Sequence, residues 1–308
     1  MTSIDVLSDD VLLAIFDFYI NDYISFEDLY ENQPIKGDIE VWKLLVHVCQ
    51  LWRGVVFGSP HHLNLQLVCT PRTPVPESLD IWPAFPLVVH CCGNYPISGI
   101  DNILAALKYR DRVCKINVEY NEKFPWKEIL AVMEVLLPKL TDLILSSDGR
   151  NPLPDTFLGG SALRLRFFEL VCVPFRGLPI LLLSAADLVY LRLYDVTYLG
   201  YISFNELVTC LSTLTSLESL YLGFTDSPAD EPWRLSTRST IPAVTHISFA
   251  GPSTLLEEFV ARIDCPKLIK FSIFFSDAYG CETQQLDYFI SRTESLRALE
   301  KAPIITYH

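Results

Sequence analysis

The chain has 308 residues, half of them apolar and 12% aromatic, with a formal charge of −13. So much apolar material can close a large core and rules out a disordered chain. The charge argues against nucleic acid as the main partner, because holding phosphates requires a basic footprint.

Much of the charge is local. Residues 1–40 hold ten acids against one base, Lys36, a net of −9. The opening "MTSIDVLSDD" lacks the basic stretch of a secretory signal, and the strongest apolar run, "LPILLLSAA" at 178–186, stops at Asp187. That is far short of the ~20 residues a membrane span needs. Nine cysteines occur without a CxxC pair. Cys49, Cys91, Cys114, Cys172 and Cys210 lie in apolar surroundings and read as small buried hydrophobes in a reducing compartment. The expected location is the cytoplasm or the nucleus, with no membrane partner.

The first element in chain order is "LSDDVLLAIFDFYI". Leu7, Val11, Leu12, Ile15 and Phe16 recur at helical spacing, Ser8 is placed to cap the N-terminus, and Asp9 and Asp10 suit the first turn. Residues 21–40, acidic and broken by Pro34 and Gly37, read as an insertion. A second helix is expected over "VWKLLVHVCQLWRGVVF" (41–57), with Trp42, Leu45, Val48, Cys49, Trp52 and Val55 on one side. Such a stripe packs either on its own domain or on another protein.

From residue 113 the chain repeats. The pattern L-x-x-L-x-L begins at Val113, Leu140, Leu165, Leu188, Leu217, Val244 and Leu268, with spacings of 27, 25, 23, 29, 27 and 24, and all 21 template positions are apolar. Extrapolation backwards reaches Pro86 and His62, where positions 4 and 6 stay apolar. Helical patterns lie between the strands at 126–137, 203–214 and 254–263. The last two open with Ser203/Glu206 and Thr254/Glu257, the spacing at which hydroxyl and carboxylate cap one first turn. One short strand and one helix per unit describe a leucine-rich repeat, in which each unit buries its leucines on its neighbours. An ordinary α/β domain with crossover helices gives the same alternation but seldom so even a spacing. Repeats of this kind often carry asparagine at position 9. Asn94 and Asn121 comply, Asp148, Thr225 and Ser276 are polar substitutes, and Val173, Val196 and Pro252 do not comply.

With the template leucines pointing inward, positions 3, 5 and 7 point to the other face. Its middle is rich in aromatic side chains and arginine, the types enriched at interface hot spots. Phe167, Tyr190, Arg192, Tyr194 and Tyr221 form the expected protein-binding patch. No catalytic constellation is legible. There is no GxGxxG, GxxxxGK(S/T), HExxH or G-x-S-x-G, and His61-His62 lacks a CxxC to complete a zinc site. No cofactor and no enzymatic activity are expected.

"LSDDVLLAIF" followed by "LVHVCQLWRGVVFGSP" resembles the F-box, a small three-helix module whose second signature is Cys-x-x-Trp, matched by Cys49-Gln50-Leu51-Trp52. Ser8 stands where that family usually has proline and can cap the same turn. With "LNLQLVCTPRTPV" and "LDIWPAFPLVV", the chain is similar to the F-box-like families of mushroom-forming fungi, which carry degenerate leucine-rich repeats after the box. The resemblance implies an α/β architecture: an F-box-like helical module over residues 1–60, then a curved repeat solenoid over 61–308 with parallel strands inside and helices outside. It also implies a function, substrate recognition for a cullin–RING ubiquitin ligase. A Skp-type adaptor, and through it a cullin, would dock on Leu7, Val11, Leu12, Ile15, Phe16, Val48, Cys49 and Trp52, while the repeats hold a target protein. The alternative is a repeat scaffold without ligase association.

Overall fold

The computed structural model describes residues 7–23, 41–91, 99–119, 125–195, 204–225, 238–276, 283–293 and 295–296. The acidic insertion (apart from 21–23), Asn94, Asn121, Val196, Ser203 and most of the C-terminal tail lie outside them.

Three helices come first: α1 (Asp9–Tyr23), α2 (Val41–Val46) and α3 (Gln50–Gly58). Ser8 caps α1 as its spacing suggested: its carbonyl accepts from Leu12 N–H at 3.0 Å and its Oγ from Val11 N–H at 3.4 Å. The single helix expected over 41–57 is instead two. Cys49 takes an extended conformation and caps α3, its Sγ accepting from Trp52 N–H at 3.5 Å. A sulfur acceptor leaves Cys49 exposed rather than buried, contrary to its apolar sequence surroundings. Arg53 ties the break together, its Nε donating to the Val46 carbonyl at 3.0 Å.

The rest of the chain builds a nine-stranded sheet: β1 (Leu67–Cys69), β2 (Leu87–Cys91), β3 (Val113–Glu119), β4 (Asp142–Ser146), β5 (Phe167–Val171), β6 (Tyr190–Tyr194), β7 (Ser219–Gly223), β9 (His246–Gly251) and β11 (Lys270–Phe275). Every pairing is parallel and the strands lie in chain order. A doubly wound sheet would reverse its order partway; this one never does, which gives an α/β fold that advances one unit at a time. β8 (Ser239–Thr240) and β10 (Ile263–Asp264) form a separate parallel pair.

Connecting helices are α4 (Val75–Ile81), α5 (Ile100–Leu107), α6 (Trp126–Val132), α7 (Leu178–Ser184), α8 (Phe204–Thr213), α9 (Ser253–Arg262) and α10 (Gln284–Arg292). α4 packs on α5 and α5 on α6; α7, α8, α9 and α10 likewise touch in sequence, giving a helical layer beside the sheet. α6 is shorter than its 126–137 pattern. Pro138 disfavours the helical conformation at Leu137, and Met133 and Leu137 enter the core from irregular chain.

The repeat register holds strand by strand. Position 4 forms one row, Ile116, Leu143, Phe168, Leu191, Leu220, Ile247 and Phe271, and position 6 forms the next. Up to β9 every member of both rows is buried; Phe271 and Ile273 in β11 are partly so. Pro86 also starts a unit in register, because Val89 pairs with Ile116 and Cys91 with Val118. The unit extrapolated to His62 is corrected. Cys69 pairs with Val89, so its template begins at Gln66, and His61 and His62 sit exposed in a turn rather than in a strand. Leu63 and Leu65 misled that register because they are buried too, as the chain leaves α3.

Stacking along the sheet is a backbone matter. At position 2 of each unit the N–H donates to the carbonyl one unit earlier: Thr141 to Cys114, Arg166 to Thr141, Val189 to Arg166, Glu218 to Val189, Thr245 to Glu218 and Ile269 to Thr245, all at 2.8–2.9 Å. The ladder continues past the strand ends, where the amides of Cys172, Asp195 and Phe224 donate to Tyr194, Gly223 and Ala250 carbonyls. Main-chain bonds tolerate any side chain, so non-polar residues at position 9 cost the array little.

The capping box expected at Thr254/Glu257 does not form. Pro252 precedes α9, and buried Glu257 reaches across to the next helix, accepting from Gln285 N–H at 2.7 Å and Leu286 N–H at 2.9 Å. Its carboxylate thus satisfies two free donors at the N-terminus of α10. Glu257→Ala strands both amides and is expected to cost about 1–3 kcal/mol. Urea unfolding would measure it, and Glu257→Gln, which keeps an acceptor, should recover part of the loss.

Candidate functional site

Two surfaces stand out. The first is on the helical module. Leu12, Phe16 and Ile20, four residues apart on α1, are buried, whereas Val11 and Ile15 are about half exposed. One residue turns a helix by ~100°, so a pattern that reads as one face is two adjacent seams. Leu12 and Phe16 therefore build the module's interior, a correction to their assignment to an exposed docking face. Trp52 joins them half-buried, with its ring centroid 4.8 Å from that of Phe16. Leu7, Val11, Ile15 and Val48 remain on the surface, with Cys49 beside Val48 in the chain. The sequence pattern missed Phe18, 73% exposed, and Leu44 and Leu51, which are also exposed. Phe18 follows Ile15 by three residues, which was the available signal.

The module is welded to the first units. Trp42, 4% exposed, donates from Nε1 to the Gln66 carbonyl at 3.0 Å. Its ring meets Trp82 at 5.1 Å, Phe85 at 5.4 Å and Phe57 at 6.3 Å, all edge-on. The Lys43 ammonium lies over the Trp82 ring at 5.3 Å, and burial lowers its pKa from the ordinary lysine value.

The second surface is the sheet face carrying positions 3, 5 and 7. The pairings bring the expected patch together. Phe167, Tyr190, Ser219, His246 and Lys270 are cross-strand neighbours in one row, and Glu169, Arg192, Tyr221 and Ser248 in the next. Phe167 and Tyr190 stack at 4.1 Å with planes 9° apart, and Tyr190 meets Tyr221 at 5.0 Å. The Arg192 guanidinium lies 5.6 Å from the Tyr194 ring centroid.

Glu169, which the sequence placed on this face but outside the patch, belongs at its centre. It is 6% exposed, its Oε1 lies 3.4 Å from an Arg192 nitrogen, and its Oε2 has no hydrogen-bond partner. Burial raises the Glu169 pKa and Arg192 opposes the rise. Burial, then the Glu169 charge, also raises that of the Tyr190 phenol. The signal for Glu169 was its place at position 5, one strand from Arg192.

At the C-terminal ends of β6, β7, β9 and β11 the same face opens into a cavity of about 260 Å³ lined by Tyr194, Asp195, Phe224, Phe274 and their neighbours. The Tyr194 ring leans over Gly223, where a methyl group would sit 2.3 Å from a ring carbon.

Burial pushes the thiols of Cys69 and Cys114 up to about 11, and those of Cys91 and Cys265 to about 12. Among the described residues no three His, Cys, Asp or Glu side chains converge as metal ligands, and no helix is long and apolar enough to cross a membrane. No protein-family model matches the chain, and no curated protein matches its sequence.

Proposed function

We propose that the chain is a non-catalytic substrate receptor of a cullin–RING ubiquitin ligase, acting in the cytoplasm or the nucleus. On this reading the helical module is an F-box that docks a Skp-type adaptor, and the leucine-rich repeats hold a target protein on their open sheet face. The observation that carries it is the exposed apolar seam of Leu7, Val11, Ile15 and Phe18 beside a fully closed interior of Leu12, Phe16, Trp42 and Val56. A seam left over after the core is complete is surface for a partner rather than unfinished packing. The resemblance of Cys49–Trp52 to the F-box signature names the partner.

The mechanism is proximity. Holding a target beside a charged ubiquitin-conjugating enzyme raises effective concentration without any acid, base or metal from this chain. The welded Trp42 junction supports the reading, because a rigid link keeps the two bound proteins at a set separation. On the sheet face, stacked Phe167 and Tyr190, together with Tyr221 and Arg192, supply large area with polar edges.

Co-expression with a Skp-type adaptor tests the first half: the two should co-elute as one complex on size exclusion. A folded chain that elutes alone would leave a repeat scaffold without a ligase. For the second half, Tyr190→Ser, Arg192→Ser and Tyr221→Ser combined should keep the adaptor and weaken target binding. Hot-spot residues cost about 2 kcal/mol or more each on truncation, so the loss should be at least ~30-fold. Target binding unchanged by the three substitutions would move the capture site elsewhere.

A further inference from the structure

We propose that the cavity at the C-terminal ends of β6, β7, β9 and β11 holds an arginine side chain of the captured protein, an assignment that rests on the sheet face being the capture surface. The cavity follows from one row of four cross-strand neighbours, Tyr194, Gly223, Ala250 and Phe274. The Tyr194 ring folds over Gly223, and the small Ala250 and Gly251 between it and Phe274 leave a notch. Its floor at Gly251 has φ +150°, and a methyl group there would lie 3.0 Å from the Phe224 carbonyl oxygen.

The chemistry of the wall selects the occupant. Phe224 joins Tyr194 and Phe274 as the aromatic part. The charged group is Asp195, whose Oδ2 accepts from the Cys172 thiol at 3.2 Å and whose Oδ1 has no hydrogen-bond partner. Among the described residues no lysine, arginine or histidine lines the notch. A carboxylate whose partner among the described residues is a thiol, beside aromatic faces, is complementary to a cation. Aromatic faces favour the planar, weakly hydrated guanidinium over the compact ammonium. Tyr194 already carries one guanidinium near its ring, that of Arg192, which Glu169 holds.

The test is an amide-resolved NMR titration of the full chain with acetyl-Ala-Arg-Ala-amide, alongside the citrulline, lysine and leucine counterparts and free arginine. The arginine peptide should shift the Tyr194, Ala250 and Phe274 amides, and citrulline should bind about tenfold more weakly, as loss of one charge-assisted contact implies. Asp195→Asn should weaken the arginine peptide by about the same factor. Asparagine tolerates the φ of +54° at this position and keeps an acceptor for Cys172, so the fold should survive. Leucine binding as well as arginine, free arginine outcompeting the blocked peptide, an unaffected Asp195→Asn or an absence of shifts at these amides would each overturn the assignment. The titration reads the notch alone. A chain that binds the arginine peptide, yet keeps its target after loss of Tyr190, Arg192 and Tyr221, would sink the capture reading and leave the notch standing.

Discussion

Ile15→Asp combined with Val48→Asp is expected to leave the chain folded and to abolish its complex with a Skp-type adaptor, whereas Leu12→Asp alone should lose the fold of the module as well. The contrast comes from burial. Ile15 and Val48 are 48% and 58% exposed, so aspartate there stays in water in the free chain and changes stability by only about 0.5 kcal/mol either way. In the complex both carboxylates would be buried without partners, at a cost of several kcal/mol and therefore at least ~100-fold in affinity. Leu12 is 1% exposed, and a carboxylate there has neither solvent nor counter-ion. Co-elution on size exclusion, paired with thermal unfolding of each variant, separates the cases. Adaptor binding by the double variant would place the docking surface elsewhere. A fully folded Leu12→Asp would contradict the packing of α1.

Trp42→Ala should be among the most damaging single changes, costing about 3–5 kcal/mol. It empties a site touched by Trp82, Phe85 and Phe57 and removes the donor to the Gln66 carbonyl. Because those partners come from α3 and the first repeat units, the loss should also split unfolding into two steps, with the helices melting before the sheet. Circular dichroism across a urea gradient would show it. Trp42→Phe keeps a ring but not the donor, and should lose about 1 kcal/mol for that bond plus a smaller packing term. A single cooperative transition in Trp42→Ala would mean that the junction does not couple the two parts.

The repeat was legible because its signal is redundant: seven strands carry the same three apolar positions, and the register follows from them. The patch was legible for the same reason, since alternation alone places Phe167, Tyr190 and Tyr221 on one side. Legibility failed where one residue serves two seams or two partners. Leu12 and Ile15 look alike in a helical pattern and differ only by ~60° around the helix axis, and which of them faces α2 and α3 is not revealed by sequence spacing. Glu257 has the right distance from Thr254 for a local cap, yet α10 offers it two better-placed donors. Helices α4, α5 and α10 were not singled out at all; α4 has only seven residues and α5 eight, too short for periodicity to speak. The notch was invisible because it is made by small residues, Ala250 and Gly251, between rings on strands far apart in the chain.

The strands lie in the order in which they are made, and that arrangement has a consequence for variation. In the sheet each strand pairs only with the one before and the one after, through main-chain bonds that ignore side-chain identity. Residues in the connecting loops can be added or exchanged without shifting any pairing two units away. The open rows can likewise be rewritten one position at a time, since the buried rows set the register by themselves. If the sheet face is the capture surface proposed above, a new specificity would need only a few exchanges among Phe167, Tyr190, Arg192 and Tyr221, with the scaffold beneath them inherited unaltered.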